Sequence, residues 1–186
     1  MRIIGGIFKG RNYKMIISEK VRPTSDYSRE VIFNVLENLI DFENIIFADV
    51  CAGSGLVGFE ALSRGAGHCY FFESDKKNCT AIELFAECLN ISDNINLIAG
   101  DASKTISKFR QNDPESAFDI VFIDPPYASI VYFKIIEQLH SEHFLKEGSI
   151  VVVEHDSTKT IIYPFLKKIK EKKAGQTLID FFLYIK

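Results

Sequence analysis

The chain has 186 residues, of which 47% are hydrophobic and 12% aromatic, and it carries a net charge of −3. A chain of this length can bury one sizeable core, and this composition excludes a disordered, collagen-like or repeat protein. It has no apolar run near the roughly 20 residues that span a bilayer and no signal peptide at its start, so we expect a cytoplasmic protein.

The first 24 residues are predicted to form a basic arm that precedes the main domain. Two short extended runs, Arg2–Ile4 and Asn12–Ile17, flank a glycine-rich stretch, and this pattern is typical of a hairpin. Residues 1–29 contain seven Lys or Arg and two acidic residues, so this segment has a charge of +5 while the rest of the chain is acidic. A basic arm on an acidic body indicates contact with a polyanion.

After the arm, the chain is predicted to alternate between helices and strands. Ser25, Asp26 or Ser28 can cap a first helix, whose apolar residues recur at helical spacing from Val31 to Leu39. The alternation that follows predicts an α/β domain with a parallel sheet and right-handed crossovers. The predicted strands are Ile45–Val50, His68–Glu73, Ile95–Ala99, Phe118–Ile123 and Ser149–Val153. The predicted helices between them are Leu56–Arg64, Lys76–Leu89, Thr105–Phe109 and Tyr132–Leu139.

The C-terminal segment differs from this alternation. Lys167–Lys173 and Thr177–Ile185 flank a short turn and are predicted to add an antiparallel hairpin to the sheet. The lysines of the first strand fit a solvated face of that hairpin, and an RNA contact is the alternative.

A glycine-rich loop follows the first predicted strand. Gly53, Gly55 and Gly58 form a G-x-G-x-x-G pattern where this strand gives way to a helix. Glycine there allows a sharp turn, a close approach of a ligand to the backbone, and close packing of the helix on the strand. Glu73 ends the next strand 20 residues after Gly53, where an acidic side chain commonly binds ribose hydroxyls. The pattern indicates an adenosine-containing cofactor, although a structural turn would explain the glycines alone.

Two further carboxylates bear on which cofactor binds. Asp49, just before the loop, would repel a pyrophosphate but attract the ammonium of a methionyl group, so it favours S-adenosylmethionine over NAD. Asp101, after the third strand, could accept the adenine amino group, and a helix-capping Asp is equally consistent with its position. The predicted cofactor-binding residues are Asp49, Ala52, Gly53, Gly55, Glu73, Asp101 and Ala102.

The segment Asp124-Pro125-Pro126-Tyr127 ends a central strand, at the edge where open α/β sheets bind ligands. An aryl amine is a poor nucleophile because its lone pair is delocalised into the ring. Hydrogen bonds to the Asp124 carboxylate and the Pro125 carbonyl would hold its nitrogen nearer tetrahedral and aim the lone pair at a methyl donor. The prolines stiffen the loop, and Tyr127 offers a face for stacking an extruded base. These four residues are the predicted catalytic site, and a rigid turn with a buried Tyr is the structural alternative.

Four separated motifs, in this order, connect the chain to a known family. They are Arg2–Gly6 with Lys9–Arg11, Arg22–Asp26 with Arg29-Glu30 and Phe33-Asn34, Ala52–Gly55 with Gly58 and Glu60–Ala66, and Asp124–Tyr127. With these motifs the sequence resembles the RsmD-type bacterial 16S ribosomal RNA guanine-N2 methyltransferases along nearly its whole length.

The resemblance implies a class I methyltransferase (Rossmann-like) domain over residues 25–186, with a seven-stranded, mostly parallel sheet and helices on both faces. It implies S-adenosylmethionine as methyl donor and the N2 amine of a guanine in 16S rRNA as acceptor, within the small subunit or its precursor. It also implies that the arm touches RNA and that the Arg-Pro-Thr segment lies beside cofactor and substrate. The residues expected to contact RNA are Arg2, Lys9, Arg11, Arg22, Thr24 and Arg29. We expect a monomer.

Three other functions remain open from the residues alone. The Asp-Pro-Pro-Tyr chemistry would also serve the amine of adenine or cytosine in RNA or DNA. An NAD-dependent oxidoreductase would explain only the glycine loop, and a non-catalytic RNA-binding module would explain only the basic arm. The four cysteines and four histidines lack metal-ligand spacing, so we expect no bound metal. The cysteines are interpreted as buried apolar residues and the histidines as surface or strand-end residues.

Overall fold

A seven-stranded sheet lies at the centre of the computed structural model, which describes residues 2–12, 24–125, 131–174 and 177–186. The strands are β1 (Ile46–Val50), β2 (His68–Glu73), β3 (Ile95–Ala99), β4 (Phe118–Ile123), β5 (Leu145–Asp156), β6 (Leu166–Ala174) and β7 (Thr177–Tyr184). Their order across the sheet is β3-β2-β1-β4-β5-β7-β6. The first five strands pair in parallel, whereas β7 pairs antiparallel with both β5 and β6. The predicted mixed sheet with a C-terminal hairpin is therefore confirmed.

Five helices cover the two faces of this sheet. They are α1 (Asp26–Leu36), α2 (Leu56–Ser63), α3 (Lys76–Leu89), α4 (Ala102–Asn112) and α5 (Val131–Ser141). Apolar residues of α1, α2 and α3 pack on one face, and those of α4 and α5 pack on the other. Central strands such as β4 are buried on both faces, which explains why they read as continuous apolar runs. None of the described helices is long and apolar enough to cross a membrane.

Most described elements match their predicted spans within one or two residues at each end, and three differ more. Helix α4 extends over Ala102–Asn112 because Asp101 caps its start. Strand β5 begins at Leu145, before a register shift and before Gly148, which has φ of +89°. The residues between Leu145 and Ser149 are polar or glycine, so the apolar pattern predicted a strand that starts only at Ser149. Helix α1 ends at Leu36, and Leu39 lies in the following turn with 46% of its surface exposed. Apolar spacing alone therefore misplaced these ends.

The described part of the arm forms a turn that packs on α2. Arg2 pairs with Asn12 in an antiparallel bridge, as predicted for a hairpin, while residues 13–17 of the predicted second run lie outside the described residues. The amide of Ile7 donates to the Ser63 carbonyl at 2.8 Å, and that of Phe8 donates to the Ser63 hydroxyl at 2.9 Å. The side chain of Ile3 is fully buried. The arm is thus fixed to the domain along its first turn.

A buried ion pair joins β5 to the C-terminal hairpin. His155 lies at a strand end, as predicted, but its side chain is fully buried and its Nε2 is 3.1 Å from Asp180 Oδ2. Lys168 Nζ contacts the same carboxylate oxygen at 2.7 Å. Burial is the largest single effect on the pKa of His155 and lowers it, but the hydrogen bonds to Asp180 and to the Asp156 carbonyl, together with the negative charge of Asp180, raise the pKa overall. This histidine therefore stabilises the sheet, a role that its sequence position did not reveal.

Candidate active site at the carboxyl ends of the parallel strands

The predicted site carboxylates meet at one edge of the sheet because each follows the carboxyl end of a parallel strand. The Cys51 thiol, just after β1, lies among them. Burial raises its pKa to about 12, and the negative charges of four neighbouring carboxylates contribute to this rise: Asp124, Glu73, Asp49 and Asp101. The structure therefore brings together residues that are as much as 75 positions apart in the sequence.

Asp49 is a buried acidic residue near the carboxyl end of β1. It is 1% exposed, and its Oδ2 accepts a hydrogen bond from the Gly58 amide at 2.9 Å. Burial raises its pKa to about 8, the nearby Glu73 charge adds to this, and the Gly58 hydrogen bond opposes it. A cation placed beside this buried group would stabilise its ionised form, which fits the predicted contact with the ammonium of a methionyl group.

The loop from Cys51 to Gly55 has an unusual backbone. Cys51, Gly53 and Gly55 all have left-handed conformations, with φ of 65°, 55° and 71°. The amides of Cys51 and Ala52 both donate to the Phe72 carbonyl, at 3.0 and 3.1 Å. Such a conformation is strained for a residue other than glycine, and strain of this kind is concentrated at ligand sites. The loop is thus held open at the sheet edge by β2.

Glycine at position 55 serves the packing of α2 more than ligand approach. A Cβ at Gly55 would lie 2.9 Å from the Ile82 side chain and 3.2 Å from the rings of Phe59 and Phe71. A side chain at this position would therefore point into the apolar core. A bulky residue there would overlap these core side chains and disturb folding.

Glu73 holds the glycine loop directly. Its Oε2 accepts from the Gly53 amide at 2.6 Å, and its Oε1 accepts from the Asp75 amide at 2.7 Å. A carboxylate has lone pairs to spare beyond these two bonds, so ribose hydroxyls could still donate to it. The contact of Glu73 with ribose hydroxyls stays a prediction. Its hydrogen bond to the glycine loop is an additional role that the spacing of residues alone did not show.

Asp101 caps α4. Its Oδ1 accepts from the Ser103 amide at 3.0 Å and from the Ser103 hydroxyl at 2.8 Å, and these hydrogen bonds lower its pKa. The capping interpretation is therefore confirmed. The next residue, Ala102, is buried at the start of the helix, whereas Asp101 itself is exposed to the same edge as the other carboxylates. A contact between this edge and adenine stays a prediction.

Asp124 links the predicted catalytic segment to the glycine loop. Its amide donates to the Val50 carbonyl at 3.2 Å, immediately before the loop, and its Oδ2 accepts from the Thr24 hydroxyl at 3.4 Å. Burial raises its pKa well above the usual range, the charges of Glu154 and Asp49 raise it further, and the Thr24 hydrogen bond opposes this. Pro125 is buried. The predicted Pro126 and Tyr127 lie outside the described residues.

Glu154 is a site residue that the sequence analysis missed. It is 8% exposed, its Oε1 accepts from the Thr177 hydroxyl at 2.8 Å, and its charge acts on Asp124. No motif contains it. It follows the buried run Val151–Val153 in β5, which corresponds to the place of Asp124 after β4, so an acidic residue after an apolar strand was the available signal.

The residues predicted to contact RNA fall into four groups. Arg2, Lys9 and Arg11 are exposed on the arm, and Arg22 lies outside the described residues. Thr24 lies beside the predicted catalytic segment, where its hydroxyl contacts Asp124, and its contact with RNA stays a prediction. The prediction for Arg29 is wrong for this structure because its side chain is only 1% exposed.

The guanidinium of Arg29 is used inside the protein. It donates to the Thr24 carbonyl and to the Arg2 carbonyl, both at 2.7 Å, and to Asp26 Oδ1 at 2.9 Å. These bonds tie the arm and the segment before α1 to the helix. A buried cation is retained only when it is paired in this way, so Arg29 positions the basic arm without contacting a phosphate.

The comparisons with known proteins agree with this geometry. The family model described as Conserved hypothetical protein 95 matches residues 1–183. The chain belongs to this family. Its relatives include ribosomal RNA small subunit methyltransferase D from Haemophilus influenzae, 34% identical over 99% of this chain and 93% of the relative. The protein of the same name from Buchnera aphidicola is 33% identical over 98% of this chain and 92% of the relative. The RsmD-type family predicted from the four motifs is confirmed.

A solved structure extends this agreement to the fold. The protein yhhF from Escherichia coli, a candidate methyltransferase, superimposes with a TM-score of 0.84 at 28% identity, covering 99% of this chain and 97% of that one. A ribosomal protein L11 methylase from Lactobacillus delbrueckii has a TM-score of 0.67 at 17% identity over 90% of this chain and 83% of that one, which shows the fold alone. The predicted class I methyltransferase fold is confirmed.

Proposed function

We propose that this protein transfers a methyl group from S-adenosylmethionine to the N2 amine of a guanine in 16S ribosomal RNA. The observation that carries the proposal is the hydrogen bond from the Asp124 amide to the Val50 carbonyl. It places the backbone of Asp124, the residue whose carboxyl group would hold the amine, next to the strand end that leads into the loop that would hold the cofactor. The relatives named ribosomal RNA small subunit methyltransferase D support the choice of substrate.

The chain offers a fitting place for the cofactor. The left-handed loop Cys51–Gly55, the buried Asp49 and the carboxyl group of Glu73 lie together at the sheet edge. When bound, S-adenosylmethionine supplies a methyl group on a positively charged sulfur, which leaves as a neutral thioether. Asp49 would pair with the ammonium group and Glu73 with the ribose hydroxyls, while Asp101 and Ala102 would border the adenine.

Asp124 would position the acceptor amine and take up its proton. Its carboxylate would accept one amine N–H and the Pro125 carbonyl the other, so that the nitrogen lone pair points at the methyl group. As the N–C bond forms and the C–S bond breaks, the amine nitrogen must lose one proton. Burial raises the pKa of Asp124, so its carboxyl group would be ionised, and able to receive that proton, when a positive charge such as that of the cofactor's sulfur lies beside it. The Thr24 hydroxyl would hold the carboxylate in place.

A pair of carboxyl groups favours guanine over adenine or cytosine. In guanine the amine adjoins N1–H, a second donor, on one side and the accepting N3 on the other, whereas the amines of adenine and cytosine adjoin an accepting ring nitrogen and no second ring donor. The charge of Glu154 acts on Asp124, and in this proposal Glu154 would receive the N1–H donor. An adenine or cytosine would place its acceptor lone pair against a carboxylate, which is unfavourable.

The test combines binding, turnover and mapping. We expect calorimetry to detect S-adenosylmethionine binding and no NAD binding, and we expect labelled methyl to appear on guanine N2 in small subunits from a strain that lacks this enzyme. Asp124→Asn should lower turnover by roughly 10²- to 10³-fold while cofactor affinity stays within about twofold. Asp93→Asn, at an exposed carboxylate in the turn Ser92–Asn94, is the matched control and should behave like the wild type.

Near-normal turnover of Asp124→Asn would remove the amine-holding role. Methyl transfer to adenine or cytosine would retain the reaction but reject the guanine assignment. Binding of NAD in place of S-adenosylmethionine would reject the proposed cofactor altogether.

A further inference from the structure

A groove of about 550 Å³ runs between α1 and the edge strand β6, outside the site described above. Tyr27, Asn34 and Asn38 lie on the side of α1 and the turn after it, and Lys170, Lys172 and Lys173 of β6 form the other side. Apolar residues of both elements form its floor. Its lining thus combines one tyrosine, two asparagines and three lysines.

The charge of this groove is positive although the whole chain has a net charge of −3. Its lining, as far as the structure describes it, contains no carboxylate, and Glu30 of α1 is not part of it. Within the described residues, Lys170, Lys172 and Lys173 have no ion-pair partner, whereas Lys168 of the same strand is paired with Glu171 and Asp180. The groove therefore concentrates uncompensated positive charge, which attracts a polyanion.

The aromatic and amide groups indicate a strand of nucleotides as that polyanion. Tyr27 is 63% exposed, which is unusual for a large ring on a helix that packs on the core. Single-stranded nucleic acid is commonly held by a basic groove that follows its phosphates and by aromatic rings on which its bases stack. Asn34 and Asn38 add donors and acceptors that can reach base edges.

The groove and the proposed catalytic site both lie near the N-terminal end of α1. Thr24, whose hydroxyl lies 3.4 Å from Asp124 Oδ2, is three residues before Tyr27. The arm meets the same end of α1, where Arg2 Nε is 3.3 Å from Asp26 Oδ2. From Tyr27 to Leu36 the helix rises by about 14 Å at the helical rise per residue, so a strand in the groove would lead away from the target nucleotide along α1.

We propose that the groove between α1 and β6 binds a single-stranded RNA segment next to the target nucleotide. Lys170 and Lys172 neutralise phosphates, and Tyr27 stacks against a base. This inference rests on the proposed RNA methyltransferase function and adds a second RNA-binding surface to the arm. The lysines of β6 are then a substrate contact and not only a solvated hairpin face.

The experiment measures the affinity of the full chain for an unmethylated 16S rRNA fragment over a series of salt concentrations. Lys170→Ala with Lys172→Ala should lower affinity by roughly tenfold or more near 0.1 M salt and flatten the log–log salt slope by about 1.4, since each lost phosphate contact contributes about 0.7. Lys108→Ala with Lys134→Ala removes the same charge from α4 and α5 and should leave both quantities unchanged.

The ring is tested separately from the charge. Tyr27→Ala should lower RNA affinity by roughly tenfold without changing the salt slope, while Tyr27→Phe keeps the stacking face and should bind as the wild type does. S-adenosylmethionine affinity and thermal unfolding of each variant show whether the fold and the cofactor site are intact.

Equal affinities and slopes for the groove and control variants, in a wild type that binds and methylates rRNA, would overturn this inference and leave the proposed function standing. Normal binding to naked rRNA with weaker binding to assembled subunits would assign the groove to a ribosomal protein and also overturn it. A wild type that binds no rRNA would overturn the proposed function, and the inference with it.

Discussion

Asp49 shows how one residue can be unfavourable for the fold and favourable for binding. Its carboxyl group is almost completely buried, and its pKa of about 8 means that ionising it at neutral pH costs free energy. Because a bound ammonium would offset that cost, the residue is better suited to the cofactor complex than to the free protein. The sequence analysis placed Asp49 in this role from charge alone, and its burial is the new fact.

The pH dependence of stability follows from this burial. An unfolded Asp titrates near 4, so the folded chain holds this proton more tightly. The stability associated with protonated Asp49 is fully present below pH of about 4 and is lost as pH rises towards about 8. We predict that the free energy of unfolding of the wild type falls between pH 6 and pH 8, and that this fall is smaller in Asp49→Asn by up to roughly 2 kcal/mol. Chemical unfolding of both proteins at the two pH values measures it.

The same variant should bind S-adenosylmethionine more weakly. In the wild type, Asp49 must release its proton to pair with the ammonium, so cofactor affinity should rise from pH 6 to pH 8, and this rise should be smaller in Asp49→Asn. Calorimetry at both pH values checks it, with Asp93→Asn as the exposed control. Equal cofactor affinity of Asp49→Asn and wild type would contradict the ammonium role.

At the scale of elements, the arm is attached to the domain through glycine. A Cβ on Gly5 would overlap the Arg64 guanidinium, and one on Gly6 would overlap the Ser63 carbonyl. Glycine is therefore needed at position 6, where the overlap is with backbone and φ is positive, whereas the Arg64 side chain could shift to admit a residue at position 5. Gly10 has φ of +84°, and no described atom lies within 4 Å of where its Cβ would be. A side chain at Gly10 would therefore meet no described neighbour, unlike one at Gly5 or Gly6.

Two of these glycines make a matched pair for a test, because Gly6 and Gly10 both have positive φ. Gly10→Ala should cost roughly 1 kcal/mol of backbone strain. Gly6→Ala adds the overlap with Ser63, which should bring the cost to roughly 3 kcal/mol and detach the arm. Hydrogen exchange of the Ile7 and Phe8 amides, which donate to Ser63, should become fast only in Gly6→Ala. Similar protection in both variants would disprove the docking role.

At the scale of the whole molecule, α1 connects three parts that act on the proposed substrate. Its first turn contacts the arm through Arg2 and Arg29, Thr24 just before it contacts Asp124, and its outer face forms the groove. The acidic body keeps the remaining surface unattractive to RNA. Two basic surfaces on either side of one catalytic edge would orient a bound strand before chemistry begins.

We predict that the arm contributes to RNA affinity through charge. Lys9→Ala with Arg11→Ala should keep the fold and the cofactor affinity but flatten the log–log salt slope of RNA binding by roughly 1.4. Combined with the Lys170 and Lys172 substitutions, the slope should flatten by roughly 2.8, since separate contacts release counterions additively. An unchanged slope in the arm variant would mean that these exposed residues only solvate the hairpin.

The sequence by itself determined the order of strands and helices, the glycine loop and the place of Asp124 at a strand end. These features depend on short-range periodicity and turn chemistry, which are complete within a few residues. The same local signals placed the ends of α4 and β5 poorly. Helix α4 starts where Asp101 caps it, and β5 starts with a segment that contains few apolar residues and a register shift, so apolar spacing marked neither start.

The tertiary structure alone decided how distant residues are used. The Thr24 and Asp124 side chains meet across 100 positions, and Glu154 acts on the same carboxyl group from a neighbouring strand. Arg29 is buried although it belongs to a basic segment, and Lys172 of β6 joins Tyr27 of α1 in one groove. Burial and pairing of this kind depend on which elements pack together, and no local pattern encodes that.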